Sequence, residues 1–570
     1  MRRDDLAPPV HSRILLLFGL LAAPSTAGAQ VVTDTAAASV AAPAVTRASG
    51  PAFFPRLISP YQLERERLSE LVGEGSAVPM MLRSVSALVT RTSAPDQRFS
   101  VFVPEIQIVN NSDLPWSMND GDLWAGRGAS MLVAGGFFAR LGRVQLVFAP
   151  QITSAANKFF ELRRPGFAQP SIPPDRSEFA LPWYVNGPYS TDMPTRFGDK
   201  ATRRMSLGQS SILVGLSNLQ LGFANENEWW GPGIGNALVL SNNAPGFPHY
   251  FLRSARPIAT RIGAFDFRWL VGGLTESDYF DTASTNDLRS LSAFAATLST
   301  GWDPNLTLGV ARSVYSTADN WGQIPGRWFD ILANTRRPNN RPLNDSSLYP
   351  GGRDQVYSLF ARWVFPQSGF EAYGEWGRTE FPSTLRDMLI APNHTQAYTI
   401  GFQWRRPGFT GADLWRIQGE NTSVEQSATF RDRPVGVWYT SRKVIQGYTN
   451  RGQPLGAAVG PGSSGQNLAV DYMRQDWSVG LKAGRIRYNE DVRRISPISF
   501  PSPWCNHDIN LYWGARASRQ SRFGFAALDF TFGNRIQPWF QGPLACPRGD
   551  PMVDIRNNTL SITLVPFMKR

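Results

Sequence analysis

Hydrophobic residues follow two rhythms along this 570-residue chain, and the change between them divides it. From about residue 97 onward, bulky apolar residues alternate one for one with small, polar or charged ones. Phe265, Phe267, Trp269 and Val271 are separated by Asp266, Arg268 and Leu270, and Tyr398, Ile400, Phe402 and Trp404 by Thr399, Gly401 and Gln403. Ile212, Val214 and Leu216 precede the turn-forming pair Ser217-Asn218, after which Leu219, Leu221 and Phe223 resume the pattern. A period of two predicts strands. Before residue 97 the period is helical. Leu63, Leu68, Leu71 and Val72 predict one helix, ended by Gly73 and Gly75, and Met81, Leu82, Val85, Leu88 and Val89 predict a second.

Alternation sustained to the C-terminus without a linker fits a wall with lipid on one side and a polar interior on the other. In lipid such a sheet must close on itself, because every unpaired backbone group there costs several kcal/mol. Connection lengths agree. Short ones at 301–304, 366–369, 406–411, 474–476 and 518–522 alternate with long ones at 316–354, 380–394, 421–464, 488–508 and 534–557. Short periplasmic turns opposite long outer loops are the outer-membrane pattern. Seventeen or eighteen strands are countable, one candidate lying near 236–242, and an even count gives eighteen. The expected fold class is therefore all-β: a transmembrane antiparallel β-barrel of about eighteen strands over residues 97–570, with a small periplasmic helical segment at 58–96.

The first residues read as an export signal. Arg2, Arg3 and Arg13 surround an apolar run at 14–23, and Ala27-Gly28-Ala29 provides a small-x-small cleavage site before Gln30. Residues 1–29 are the expected signal peptide, and 30–57 an Ala/Thr/Pro-rich leader with no core of its own. Export to an oxidising compartment makes the two cysteines, Cys505 and Cys546, an expected disulfide. In the strand order both fall in outer loops that leave the membrane on neighbouring strands.

Two stretches carry a family resemblance. Glu226-Asn227-Glu228-Trp229-Trp230-Gly231-Pro232-Gly233, followed by Leu240-Ser241-Asn242-Asn243-Ala244, resembles a signature of the capsule assembly Wzi family. Tyr373-Gly374-Glu375-Trp376-Gly377-Arg378-Thr379-Glu380, the run from His394 to Tyr398, and the run from Gly447 to Gly456 resemble that family's later motifs. In family order the likeness spans roughly 97–570. It implies an outer-membrane barrel of eighteen strands with a periplasmic helical bundle, and a lectin-like surface role in attaching capsular polysaccharide.

Within those motifs, Trp229 and Trp230 offer flat faces for sugar C–H surfaces, held by the turn at Gly231-Pro232-Gly233. Asn242 and Asn243 supply amides for hydroxyl recognition. Glu228, Glu375 and Trp376 complete the candidate polysaccharide-binding set. The plainer reading makes the tryptophans an interfacial girdle and pairs Glu375 with a luminal arginine.

Net charge at pH 7 is +12, with 57 Lys+Arg against 45 Asp+Glu. Arg268, Arg362 and Arg405 fall at luminal positions, and Arg336, Arg337, Arg341, Arg431 and Arg433 in loops. The guanidinium fork suits carboxylates and phosphates of acidic polymers, and equally those of lipopolysaccharide. Export argues against nucleic acid as the partner. Past the signal, only His249, His394 and His507 remain, each in a loop context without metal-ligand spacing. With no catalytic arrangement or phosphate-cradling loop, no enzyme, cofactor or metal is expected. The expectation is a monomeric outer-membrane protein whose partners are surface or capsular polysaccharide, lipid and lipopolysaccharide. A porin-like channel for small anionic solutes is the alternative.

Overall fold

The computed structural model describes residues 60–73, 80–160, 174–184, 189–333, 352–382, 384–410, 413–431, 433, 436–495, 507–540 and 554–566. Their strands form one closed antiparallel barrel of eighteen staves. Phe99–Asn111 pairs with Gly128–Leu141 on one side and with Ile555–Pro566 on the other, closing the circle with Ile108 opposite Ile562. Three staves are interrupted: Val144–Phe148 continues as Gln151–Ala155, Thr202–Ser206 as Ser211–Leu216, and His249–Ser254 as Ile258–Thr260. Pro104 lies in the first strand, where the register shifts between Phe102 and Glu105. A bulge is where a strand tolerates a residue without an N–H.

The sequence alternation maps onto the two faces of the wall. Ile212, Val214, Leu221, Leu359, Ile400, Leu481 and Trp513 are exposed on the outside, as a lipid-facing band requires. Their neighbours Leu213, Gln220, Ser358 and Thr399 are buried within. The connections divide by length as expected. Turns at 142–143, 217–218, 261–262, 366–369, 474–476 and 522–523 share one end, while 112–127, 156–201, 225–248, 318–352, 379–395 and 424–463 share the other. Two turns lie slightly later than the sequence suggested. The strand Gln396–Pro407 delays one to 408–413, and Asp508–Ser521 delays another to 522–523.

The candidate strand near 236–242 is not part of the wall. Ala237, Leu238, Val239 and Leu240 are fully or almost fully buried inside the barrel, the last three packed with Tyr439, Tyr448, Leu455 and Ala457 from the long loop 424–463. The barrel side of this core includes Leu270, Leu291, Ala293 and Phe360. An apolar run inside a lumen has the same composition as a strand, because both are buried on every side. Its place in the ring is taken by the interrupted stave at 249–260.

The N-terminal segment contains helix α1, Pro60–Glu70, and helix α2, Val85–Thr92. Leu68 of α1 and Leu71 just beyond it pack against Val364 and Met473, which lie at the turn end. The second helix starts later than its apolar spacing suggests. Ser84 caps it, accepting a hydrogen bond from the N–H of Ala87, and Leu82–Arg83 is extended instead, pairing with Trp229–Trp230. Val85 and Val89 then pack on Phe102, Phe138 and Val147, so α2 lies within the lumen while α1 closes its turn end.

Candidate functional site

The signature residues meet at the centre of this plug. Trp229 and Trp230 are both 0% exposed. The Trp230 indole N–H donates to Glu228 at 3.0 Å, and its backbone N–H to the carbonyl of Leu240, also at 3.0 Å. The Arg83 guanidinium lies 4.6 Å from the centre of the Trp229 ring. Neither indole faces solvent, so the stacking surface expected of this pair is not offered. They serve as packing anchors between the N-terminal segment and the loop 225–248. The physical reason is the pairing with Leu82–Arg83, which covers them from the side the sequence left open.

Carboxylates hold the plug to the wall. Glu228 meets Arg268 at 3.1 Å, and Arg268 also donates to the Leu82 carbonyl and the Ser84 hydroxyl. Glu375 accepts from the backbone N–H of Leu238 at 3.0 Å; its partner here is plug backbone, in place of the luminal arginine considered above. Glu420, which the sequence did not single out, accepts from the N–H groups of Ile234 and Gly235 and from the Tyr373 hydroxyl. Glu226 accepts from the backbone and hydroxyl of Ser86 in α2. Each is a luminal residue answering orphaned backbone or guanidinium donors, as irregular chain inside a barrel requires. Trp376 is set apart from these. It lies on the opposite face of its strand from Glu375, half-buried beside Tyr398, with its indole N–H on Gln396.

Asn242 and Asn243 carry the plug outward to the loops. Asn242 donates to the Asn119 carbonyl at 2.9 Å, and Asn243 to the Pro454 carbonyl at 3.0 Å. Asn450 joins them, donating to the Pro245 carbonyl and accepting from the Thr275 N–H. Asn242 and Asn243 thus recognise backbone of the loops 112–127 and 424–463. Over them, at the loop end, opens a cavity of about 700 Å³. Trp124, Phe197, Tyr279, Arg204, Arg451 and Glu276 are among its lining residues, and none was a sequence candidate. Their signal was weak, because each is a single residue on a different loop or strand end.

The arginines expected in the lumen are there, with internal partners. Arg362 binds Glu371 at 2.6 Å and Glu70 of α1 at 2.5 Å, and Arg405 donates to the Leu68 carbonyl. Of the loop arginines, Arg433 pairs with Asp387 at 2.8 Å and Arg431 is exposed, while Arg336, Arg337 and Arg341 lie outside the described residues. So do Cys505 and Cys546. His249 begins a strand instead of lying in a loop, its Nδ1 2.8 Å from the Phe247 carbonyl. His394 meets Thr429, and His507 lies 2.8 Å from Glu490. Among the described residues, no three His, Cys, Asp or Glu side chains are grouped to hold a metal ion.

Fold and site together define a plugged eighteen-stave membrane barrel whose interior is knit by carboxylates and whose loop end carries a cavity. The chain belongs to the capsule assembly protein Wzi family, whose pattern matches residues 118–497. Among solved structures it is similar to Escherichia coli Wzi, described as an outer-membrane, carbohydrate-binding β-barrel involved in group 1 capsule assembly. That likeness has 13% identity and a TM-score of 0.51, covering 89% of this chain and 93% of the other. Pseudomonas aeruginosa OccK7 is more distant, with 8% identity and a TM-score of 0.37 over 83% of this chain and 100% of that one. No curated protein sequence matches the chain.

Proposed function

We propose that this protein is an outer-membrane factor that binds surface polysaccharide and helps attach or assemble it, without catalysing a reaction. The observation that carries this reading is the filled lumen. Trp230, Leu238, Leu240, Tyr439, Tyr448 and Leu455 form an apolar core across the interior, against the wall residues Leu270 and Phe360. A channel for anionic solutes needs a continuous wet path there, whereas a binding platform needs rigid loops held from beneath. Family membership supports the same reading. Polysaccharide then meets the loop end, lipid and lipopolysaccharide surround the apolar band, and one chain closes the barrel as a monomer.

In this reading the signature residues Glu228, Trp229, Trp230, Asn242, Asn243 and Glu375 act by positioning the loops. Export removes residues 1–29, and N-terminal sequencing of the outer-membrane fraction should begin at Gln30. The functional test is cell-associated polysaccharide in a strain lacking the gene. Less polymer on the cells and more in the medium, restored by the wild-type chain, is expected. Unchanged retention would remove the proposal.

A further inference from the structure

The cavity at the loop end has a composition that specifies its ligand more closely than polysaccharide in general. One wall is aromatic and half-buried. The rings of Trp124 and Phe197 are 4.9 Å apart, and Phe197 meets Tyr279 edge to face at 5.8 Å. Such partly covered faces suit the C–H surface of a pyranose. The wall is held in place. Asn157, 1% exposed, donates its amide to the carbonyls of Phe197, Gly198 and Lys200 at 2.8, 2.9 and 3.1 Å, fixing the loop that carries Phe197. Gly198, at φ +76°, leaves room for the Tyr279 hydroxyl, which would lie 2.8 Å from any added Cβ.

The other wall is cationic. Arg451 donates through Nε to the Thr275 hydroxyl at 3.2 Å, and Arg204 acts through its charge on Asp122, which shares the lining. The Nη2 of Arg204 is buried without a hydrogen-bond partner among the described residues. An unanswered buried guanidinium donor is costly, and in a ligand site it is a place for an acceptor. Three carboxyls share the lining, but two are already engaged. Asp122 accepts from Ser206, and Glu276 accepts from the Gln446 amide at 2.6 Å; Asp278 is exposed. Burial pushes Glu276 up to about 8, so that near neutral pH it is largely uncharged, and burial likewise raises Asp122. Arg451 therefore carries the unanswered charge of this wall and Arg204 adds an open buried donor, and a guanidinium fork fits a carboxylate.

We propose that this cavity is a subsite for one carboxylate-bearing sugar, a hexuronate residue within a surface polysaccharide, with its ring on the Trp124–Phe197–Tyr279 wall and its carboxylate on Arg451 and Arg204. About 700 Å³ falls within the range of small-ligand sites and accommodates one pyranose with part of its neighbours. The inference rests on the polysaccharide-binding reading and adds the class of sugar.

The test uses the full mature chain in detergent, with methyl glucuronide and methyl galacturonide as probes against methyl glucoside, followed by saturation-transfer NMR. At least one uronide should bind tenfold or more tightly than the glucoside. Arg451→Gln should remove that preference, while Trp124→Ala should weaken the bound uronide tenfold or more; both variants should keep the heat-modifiable mobility of a folded barrel. Equal binding of uronides and glucoside, or an unchanged preference in Arg451→Gln, would overturn the proposal. So would inorganic phosphate displacing the uronide more strongly than free glucuronate does, since the cationic wall would then select a phosphoryl group. If the uronide preference fails while cells lacking the gene still shed polysaccharide, the subsite is wrong and the broader function stands.

Discussion

Trp229 and Trp230 illustrate what single residues disclose and what they hide. Their presence in a rigid glycine-proline turn is plain in the sequence, but a pair of indoles looks the same whether it faces sugar, lipid or a core. The deciding contact is with Leu82 and Arg83, nearly 150 positions earlier, and no local pattern records it. Replacing Trp230 by Ala should therefore cost about 3–5 kcal/mol, as for a buried aromatic. Loss of heat-modifiable mobility at lower temperature than in the wild type would register it; an unchanged melting profile with weaker sugar binding would restore the exposed-face reading. Glu276 provides a second test at this scale. Burial raises its carboxyl from 4.5 to about 8, and that of Asp192 nearby from 3.8 to about 6. A raised folded value means that the favourable contribution is complete below the unfolded value and is lost as pH climbs through the folded one. Thermal stability should fall between about pH 4 and 8, and Glu276→Gln should flatten the upper part of that fall.

Strands were the most legible elements, because lipid outside and packed polar lumen inside impose a strict period of two. Turns such as Ser217-Asn218 were visible for the same reason: the period breaks there and restarts. Helices were visible too, but their destination was not, since α1 and α2 are bound by charges dispersed over the wall. Arg67 and Arg362 both bind Glu371, at 2.6 Å each, and Arg416 bridges Glu64 and Asp471 at 3.2 and 2.9 Å. Removing the shared carboxylate in Glu371→Ala leaves two buried guanidinium groups short of a partner, which should cost about 3–5 kcal/mol. The effect belongs to α1. Hydrogen exchange should accelerate across 60–73 while the strands on the opposite side of the barrel keep their protection. Uniform acceleration throughout the barrel would mean that α1 and the wall unfold as one unit.

For the molecule as a whole, the barrel was readable from alternation and connection length, while the plug required knowing which loops turn inward. The strand order also frames the cysteine pairing. Cys505 and Cys546 lie outside the described residues; in the sequence one precedes and the other follows the paired strands Asp508–Ser521 and Gly524–Ile536. A disulfide there should add roughly 4 kcal/mol in the chain-entropy model, and the denatured, unreduced protein should then present no thiol to a labelling reagent. Two labelled thiols would exclude the bridge.

The central claim is that this barrel is closed by its own chain and works as a binding platform. Its most direct measurement is the conductance of the purified mature protein in a planar bilayer. The packed interior formed by Trp230, Leu238, Tyr439 and Tyr448 predicts no stable, ohmic channel steps at moderate voltage. Reproducible open steps with selectivity for small anions would contradict the account and restore the channel.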